Sequence, residues 1–432
     1  MSVEGATAVV VGAGYPGKRR IYERMAALDA RLVIVDEPGH WSSALVDDGV
    51  ASAWLPVPFT GNADEDAAAV VAALAEAGVR PDGILTFWEE CPPIAARAAA
   101  ALGLPGNPVA AVDAARSKVR TREASSSAGL PTPRSRRVQS VDELFAAAAD
   151  IGFPAVVKPE FGHSQVGCIR VDAFESLPDI YWLVRKELAT TTVVNLHSRT
   201  ELLFEEYLDG VEFDVDLVLD DGRCVFSSVS QQAPTNEPSF QETGLHCPPD
   251  HDAKAVRRLV DLSVETVQAL GFVRGVLHVE GKCTSKGPRI VEVNARMGGG
   301  RIHQIVEAVW GVDLIEAHLR AALGLPPRLA PSRKPRCAVV NALVFAPASG
   351  RLAALPFTRV TAEAEPGLVI DVSAAMGQEV DGPDRIFSTV LADVYVGAKN
   401  LRRGRSLMAT VLRDPPVVTP LAEIVATIRS EE

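Results

Sequence analysis

The chain has 432 residues, of which 47% are apolar and 23% are charged, as in ordinary soluble globular proteins. This length exceeds what one hydrophobic core supports, so we expect about two to four domains. The net charge of −12, without a dense basic stretch, argues against a nucleic-acid partner. The apolar stretches are short, rich in alanine and interrupted by charge, which argues against a membrane partner.

Six cysteines are scattered singly along the chain. Their spacing fits reduced thiols and gives no support for a zinc site. The N-terminus runs from Met1 directly into an apolar strand pattern, without the features of a signal peptide. We therefore expect a cytoplasmic protein, and the oligomeric state stays open, a homodimer included.

The first hundred residues alternate strand-type runs with helix-type runs, as in "TAVVVGAG", "RRIYERMAALDA" and "RLVIVDE". This alternation predicts right-handed βαβ units and a small parallel sheet. Gly12, Gly14 and Gly17 fit the G-x-G-x-x-G pattern of dinucleotide-binding proteins, and Asp36 follows where a ribose-binding acid would sit. Because any βα turn favours glycine, the motif alone is weak evidence for NAD. An NAD(P)-dependent oxidoreductase is kept as an alternative of a different class.

The middle of the chain carries two candidate phosphate-binding lysines. Lys118 lies on a helix-like run that ends at Gly129, and Lys158 ends an apolar strand, where an unpaired ammonium would be costly. Lys158 is followed by "PEFGHSQVG", a glycine-containing loop that we expect to close over the site as a lid. No G-K-[ST] is present, so the loop is not a Walker A sequence.

The strongest signal is the segment "HVEGKCTSKGPRIVEVNARMGGG". A hairpin turn over Lys286 and Gly287 puts Glu280 opposite Glu292, and strand alternation puts Asn294 on the same face. Carboxylate and amide oxygens suit Mg²⁺, with Mn²⁺ as a further possibility. The alternative is an exposed hairpin with a charged face, but the matched positions before three glycines favour a functional site.

Together these residues resemble the ATP-grasp superfamily of carboxylate–amine ligases. The pattern comprises a lysine before "AGLPTP", then "VVKP" with its loop, "EEYLDGVEFDVD", "HVE" and "EVNARMGGG", in this order over about half of the chain. Within the superfamily the chain looks most like the L-amino-acid ligase and carnosine synthase branch. That narrower resemblance rests on "GYPGKRRIYE", "LTFWEECPPIAARAAAALGLPG" and "FQETGLHCPP".

The resemblance implies an α/β protein whose ATP-grasp core is α+β. Residues 1–112 would form a Rossmann-like domain that binds no dinucleotide. Residues 113–335 would form the ATP-grasp domain, with one lobe over about 113–200 and the other over about 201–335. Residues 336–432 would form a small, β-rich C-terminal domain with α+β character.

The resemblance also implies roles for individual residues. In "ETGLH" an acid and a histidine could hold the amino and carboxylate groups of a substrate, although a loop histidine without that role is the alternative. Catalytic roles would fall to Arg296 and Lys158, and Mg²⁺ would be bound by Glu280, Glu292 and Asn294. The substrate would contact Glu242, His246, Arg296 and Gly299. ATP would contact Lys118, Lys158, Ser164, Gly167, Glu205, Glu206, Tyr207, Leu208 and Glu212.

The implied activity is an ATP-dependent ligation of two amino acids through an acyl phosphate, releasing ADP and phosphate. The expected partners are small amino acid or short peptide substrates. A ligase acting on another carboxylate or on a larger peptide is the alternative within the same fold. A non-catalytic nucleotide-binding protein is disfavoured because every expected metal ligand is present.

Overall fold

The computed structural model describes residues 2–162, 165–190, 201–355 and 367–419. Ser164, predicted to contact ATP, lies outside the described residues. The predicted mixed α/β fold is confirmed: one parallel sheet precedes three antiparallel ones.

Across the described ranges, no helix is long and apolar enough to cross a bilayer.

The N-terminal region forms a parallel sheet of the order β3-β2-β1-β4. Val9 and Val10 in its central strand are fully buried, because helices cover both faces of a parallel sheet. The predicted βαβ alternation is therefore present. Its strands are β1 (Thr7–Val11), β2 (Arg31–Asp36), β3 (Ala53–Pro56) and β4 (Gly83–Leu85), and its helices are α1 (Arg19–Ala26), α2 (Ala44–Asp47), α3 (Ala63–Glu76) and α4 (Pro92–Ala101).

The helix-like run after this sheet is divided in two. Ser117 has extended backbone angles, and its side-chain oxygen accepts a hydrogen bond from the Arg120 amide, which caps a new helix. The run therefore forms α5 (Val109–Arg116) and α6 (Lys118–Ser127), and Lys118 is the first residue of the second helix.

A four-stranded antiparallel sheet follows in the order β5-β8-β6-β7. Two helices pack against it, α7 (Val141–Ile151) and α8 (Leu177–Thr190). The last strand in sequence begins at Leu202, just beyond the predicted end of the first lobe at about residue 200. The strands are β5 (Ser135–Val138), β6 (Ala155–Pro159), β7 (Ile169–Val171) and β8 (Leu202–Glu206).

The largest sheet has eight antiparallel strands in the order β13-β12-β9-β10-β11-β14-β18-β16. It continues across the predicted domain boundary at residue 335, because β11 pairs with β14 at His246 and Cys247. The three-part division of the chain stays a prediction. The strands are β9 (Val211–Asp220), β10 (Arg223–Gln232), β11 (Leu245–Cys247), β12 (Gly275–Thr284), β13 (Gly287–Asn294), β14 (Ala338–Phe345), β16 (Leu368–Val372) and β18 (Val390–Ala398).

The remaining described elements are a small three-stranded sheet and four helices. A small sheet has the order β17-β15-β19, formed by β15 (Gly350–Ala354), β17 (Glu379–Val380) and β19 (Val417–Thr419). The helices are α9 (Ala253–Ala269), α10 (Ile302–Trp310), α11 (Leu314–Ala322) and α12 (Leu401–Val411).

Strand alternation gives the eight-stranded sheet one apolar and one polar face. In β9, Phe213 and Val215 are fully buried in a core that also contains Leu259 of α9. The residues that alternate with them, Glu212 and Asp214, point the opposite way, toward the cavity described below. The hydrophobic core therefore fixes which side chains the sheet can present to a ligand.

Gly210, in the turn between β8 and β9, tests how closely this turn approaches the end of β12. Its φ is +85°, and a Cβ there would lie 2.1 Å from the Cys283 carbonyl oxygen, whereas Gly222 has a φ of +74° and open space around it. We expect Gly222→Ala to lower the free energy of unfolding by about 1 kcal/mol through backbone strain alone. Gly210→Ala adds a steric clash, which we expect to cost about 1–3 kcal/mol more. Denaturant titrations of the two variants measure the difference, and equal losses would contradict the close approach.

Candidate functional site

A cavity of about 480 Å³ lies over the polar face of the eight-stranded sheet. Its other walls are the β5-β8-β6-β7 sheet and the turns that follow β1 and β4. Cavities of this size hold small-molecule ligands. The predicted site residues that line it are Lys118, Lys158, Glu205, Glu206, Tyr207, Leu208, Glu212, Glu242, Glu280, Glu292, Asn294, Arg296 and Gly299.

The β12–β13 hairpin brings the predicted metal ligands together. Glu280 is paired with Glu292, as the sequence predicts, although the turn lies at Ser285 and Lys286 and not over Lys286 and Gly287. One extra residue in β13, Val291, shifts the register and restores the predicted pairing. The Asn294 side-chain amide donates to Glu280 Oε1 at 3.2 Å, so the three side chains form one cluster.

The ionised form of Glu280 is disfavoured in this cluster. Burial and the neighbouring Glu292 raise the pKa of Glu280 well above its ordinary value. Lys118 Nζ lies 3.1 Å from Glu292 Oε1, and this contact outweighs burial and raises the pKa of Lys118. Two carboxylates and an amide form a hard, oxygen-rich donor set, so these residues fit a bound Mg²⁺.

Lys158 is held in a buried ionic cluster at the wall formed by β6 and β8. It is paired with Glu205, whose second oxygen lies 3.1 Å from Arg122 Nε. Burial alone would raise the pKa of Glu205, but Arg122 and Lys158 outweigh it and lower that pKa to about 2. The Glu205 carboxylate therefore fixes the ammonium of Lys158 at the cavity wall.

The segment after β8 forms the wall near Glu212. The amides of Glu206 and Tyr207 donate to the carbonyl oxygens of Arg134 and Pro154, so these two backbone donors are already used within the protein. Lys282 Nζ lies 3.4 Å from Glu212 Oε2 and 5.8 Å from the centre of the Tyr207 ring. Lys282 thereby orients both groups, a role that the sequence reading missed.

The predicted lid loop contacts the cavity through Gln165. Its side-chain amide donates to Glu242 Oε1 at 2.8 Å, and burial together with Glu212 raises the pKa of Glu242. Gly167 does not line the cavity. A Cβ there would lie 3.3 Å from Val184 of α8, so this glycine is required by packing against the helix.

Arg296 and Lys18 form the cationic side of the cavity. Arg296 is ion-paired with Glu89, which is also paired with Arg116. Lys18 has only 6% exposure, and burial together with Arg296 lowers its pKa to about 7. Gly299 borders the same space, with open room where a side chain would be.

The structure corrects the prediction that His246 contacts a substrate. Its Nε2 lies 3.2 Å from Asp250 Oδ1 and 3.4 Å from the Arg405 guanidinium. Leu245, its neighbour in β11, is the residue that lines the cavity. Strand alternation therefore directs the imidazole of His246 to the opposite face of the sheet.

Two buried ionisable residues beside the glutamates were missed by the sequence reading. His278 Nδ1 lies 2.9 Å from Asp216 Oδ1, and this carboxylate outweighs burial and raises the pKa of His278 to about 9. Burial raises the pKa of Asp214 to about 7. The alternation of acidic and apolar residues in "EFDVD" was a usable signal for Asp214, and His278 lies two residues before Glu280 on the same face.

The glycine motif after β1 is packed by the protein's own side chains. A Cβ at Gly12 would lie 2.3 Å from Cys91 Sγ, and one at Gly14 would lie 2.7 Å from the Trp88 ring. The Asp36 carboxylate accepts a 2.7 Å hydrogen bond from the Ala13 amide, so it stabilises the turn itself. These contacts explain the glycines and the aspartate without a dinucleotide.

Comparisons with known proteins agree with this geometry. A family described as an ATP-grasp N-terminal domain matches residues 22–106, and one described as an ATP-grasp domain matches residues 151–304. The fold is similar to that of an L-amino acid ligase from Bacillus licheniformis, with a TM-score of 0.82 and 21% identity over 96% of this chain and 99% of that chain. At this identity the likeness shows the fold.

Curated relatives give a closer match in sequence. Carnosine synthase 1 of Gallus gallus is 34% identical over 81% of this chain and 38% of its own length. Alanine–anticapsin ligase of Bacillus subtilis is 25% identical over 51% of this chain and 49% of its own length. The chain spans less than half the length of these relatives. It belongs to the ATP-grasp superfamily, in the branch that includes amino acid ligases and carnosine synthase, which confirms the resemblance seen in the sequence.

Replacing Lys18 with methionine tests the cost of burying its ammonium. Because its pKa falls from 10.5 to about 7 on folding, the unfolded chain binds the proton more tightly. The free-energy cost of burying the ammonium is therefore fully present below pH 7 and disappears as pH rises toward 10.5. We expect Lys18→Met to raise the unfolding temperature at pH 7 and to lose that gain near pH 10.5. Thermal unfolding at both pH values measures it, with the exposed Lys254→Met as control, and a pH-independent gain would contradict the assignment.

Proposed function

We propose that this chain joins two amino acids in an ATP-dependent reaction that proceeds through an acyl phosphate. The observation that carries the proposal is the meeting of Glu280, Glu292, Lys118, Lys158 and Arg296 on one cavity. Solved structures of similar fold contain ADP, for example carboxyaminoimidazole ribonucleotide synthetases with TM-scores of about 0.70. The curated relatives are named for ligation reactions, which supports formation of a C–N bond.

In this proposal the nucleotide lies between the β5-β8-β6-β7 sheet and the eight-stranded sheet. Lys118 and Lys158 neutralise phosphate oxygens while each stays beside its carboxylate partner, Glu292 or Glu205. Glu205 to Leu208 border the adenine, and Glu212 accepts hydrogen bonds from the ribose hydroxyls. Phosphoryl transfer requires chiefly positioning and charge stabilisation, which buried lysines can supply.

Glu280, Glu292 and Asn294 are the residues that would hold Mg²⁺. The metal, when bound, supplies charge neutralisation at the phosphate oxygens. Lys118 would help to keep Glu292 oriented toward that position, because the two groups are already in contact.

Arg296 stabilises negative charge during the transfer. The carboxylate of the first amino acid attacks the γ-phosphorus, giving an acyl phosphate and ADP. The amine of the second amino acid then attacks the carbonyl carbon, a C–N bond forms, and the C–O bond to phosphate breaks. Glu89 holds the guanidinium of Arg296 in place. Gln165 and Val166, which line the cavity, limit the access of water to the intermediate.

The test is phosphate release from ATP and Mg²⁺ with amino acids supplied singly and in pairs. The expected result is release that requires two amino acids, with a product whose mass equals their condensation. Release with a single amino acid and a larger peptide acceptor would favour the alternative of a peptide-tailoring ligase. No release with any mixture would contradict the proposal.

Glu292→Gln removes one metal-binding charge without changing side-chain shape. We expect kcat to fall by roughly 100-fold or more, because the Mg²⁺ that would neutralise the phosphate charge loses one of its carboxylate ligands. The matched control is the exposed Glu265→Gln on α9, and circular dichroism checks the fold of both. Substantial residual turnover at saturating Mg²⁺ would remove Glu292 from the proposed metal site.

Arg296→Ala separates catalysis from nucleotide binding. We expect kcat to fall by roughly 100-fold or more, the effect of losing one preorganised charge donor, while ADP affinity stays near that of the wild type. Calorimetric titration with ADP and steady-state phosphate release give the two quantities, with the exposed Arg257→Ala as control. Lost ADP binding would instead place Arg296 in the nucleotide site.

A further inference from the structure

The far end of the cavity is built by strands of the C-terminal region. Asn341 in β14 and Asp393 and Tyr395 in β18 point to the same polar face of the eight-stranded sheet as the glutamates. A Cβ at Gly300 would lie 3.3 Å from the Tyr395 hydroxyl, so the glycine segment after Arg296 lies against this group. The end formed by Asp393 is therefore continuous with the proposed reaction centre.

The Asp393 carboxyl group makes no ion pair among the described residues. The Tyr395 hydroxyl donates to Asp393 Oδ2 at 2.6 Å, and the Asn341 amide donates to Oδ1, so both donors are neutral. Asp371 lies directly opposite Asp393 in β16, but its two oxygens each lie 2.6 Å from Arg301. Among the described residues, no Lys, Arg or His nitrogen lies within 4.0 Å of the Asp393 carboxylate.

Lys18, in the lining of the same cavity, is the complementary basic residue. It is 6% exposed and borders the cavity, and within the described ranges no carboxylate oxygen lies within 4.0 Å of its Nζ. The nearby Glu89 is paired with Arg116 and Arg296. A buried charge without a partner is costly, so a ligand that compensates it gains affinity.

The lining of one cavity thus includes an acidic and a basic side chain that make no ion pair among the described residues, together with apolar side chains. Leu245, Leu343, Ile302 and Ile305 supply that apolar lining. A ligand that carries both charges and an apolar side chain matches all three features. A free amino acid in its zwitterionic form has this chemistry.

We propose that Asp393 is the recognition residue for the ammonium group of a free amino acid substrate, whose carboxylate faces Lys18 and Arg296. This inference rests on the proposed ligase function, because it names the group that selects an amino acid over other carboxylates. Asn341 and Tyr395 orient the Asp393 carboxylate for that contact.

The experiment compares matched ligands that differ only in the ammonium group. Binding of alanine against propionate, and of leucine against 4-methylpentanoate, is measured by NMR titration of the full chain saturated with ADP and Mg²⁺. We expect the wild type to prefer an amino acid over its amine-free analogue by about 10- to 100-fold, the range for a hydrogen bond to a charged group. Asp393→Asn should abolish that preference and leave the affinity for the analogue unchanged.

Lys18→Met tests the carboxylate contact separately, since this variant should weaken the binding of the amino acid and of its analogue by the same factor. The exposed Asp381→Asn is the matched control and should bind all four ligands as the wild type does. Thermal unfolding shows whether each variant is folded. A preference that survives in Asp393→Asn, equal losses for both ligand types in that variant, or no preference in the wild type would each overturn the inference.

Phosphate release in the same samples separates this inference from the proposed function. If the wild type prefers amino acids through Asp393 but releases no phosphate, the ligase proposal fails and the recognition residue stands. If it condenses amino acids while Asp393→Asn keeps the preference, the ligase proposal stands and the recognition residue is wrong.

Discussion

The pairing of β12 with β13 and β9 is the constraint on which the site depends. Side chains alternate along a strand, so a shift of one residue would move every charged group on a strand to the opposite face. The apolar residues Phe213 and Val215 are held in the core, which fixes the opposite orientation for the alternating residues Glu212 and Asp214. The extra residue Val291 then sets Glu292 opposite Glu280. Hydrophobic burial on one face thereby determines the arrangement of charge on the other.

The charges that meet over this sheet are arranged in partly compensated pairs. Lys118 contacts Glu292, and Lys158 contacts Glu205, so each proposed phosphate-binding lysine is held by a carboxylate before any ligand binds. A removed partner would leave a buried charge uncompensated, which is far more costly than a weak surface pair. Preorganisation of this kind reduces the rearrangement needed when phosphate oxygens arrive.

The sequence predicts the pairing of Glu280 with Glu292, although it places the turn one residue too late, because the extra residue Val291 compensates for that offset. It predicts the mixed α/β class and the glycine turn after β1, since periodicity and turn chemistry act over a few residues. It fails for His246, because a three-residue strand gives too little alternation to fix its face. It gives no signal for Asp393 or Lys18, since their place depends on how distant strands and turns meet around one cavity.

The central claim is that a carboxylate of one amino acid is activated by phosphoryl transfer before the amine attacks. An amino acid labelled with ¹⁸O in its carboxylate tests this directly, once the substrate pair is known from phosphate release. Transfer through an acyl phosphate breaks the bond between the carbonyl carbon and one labelled oxygen, so the released phosphate should carry one ¹⁸O atom. Phosphate without label, formed together with the condensed product, would contradict the account.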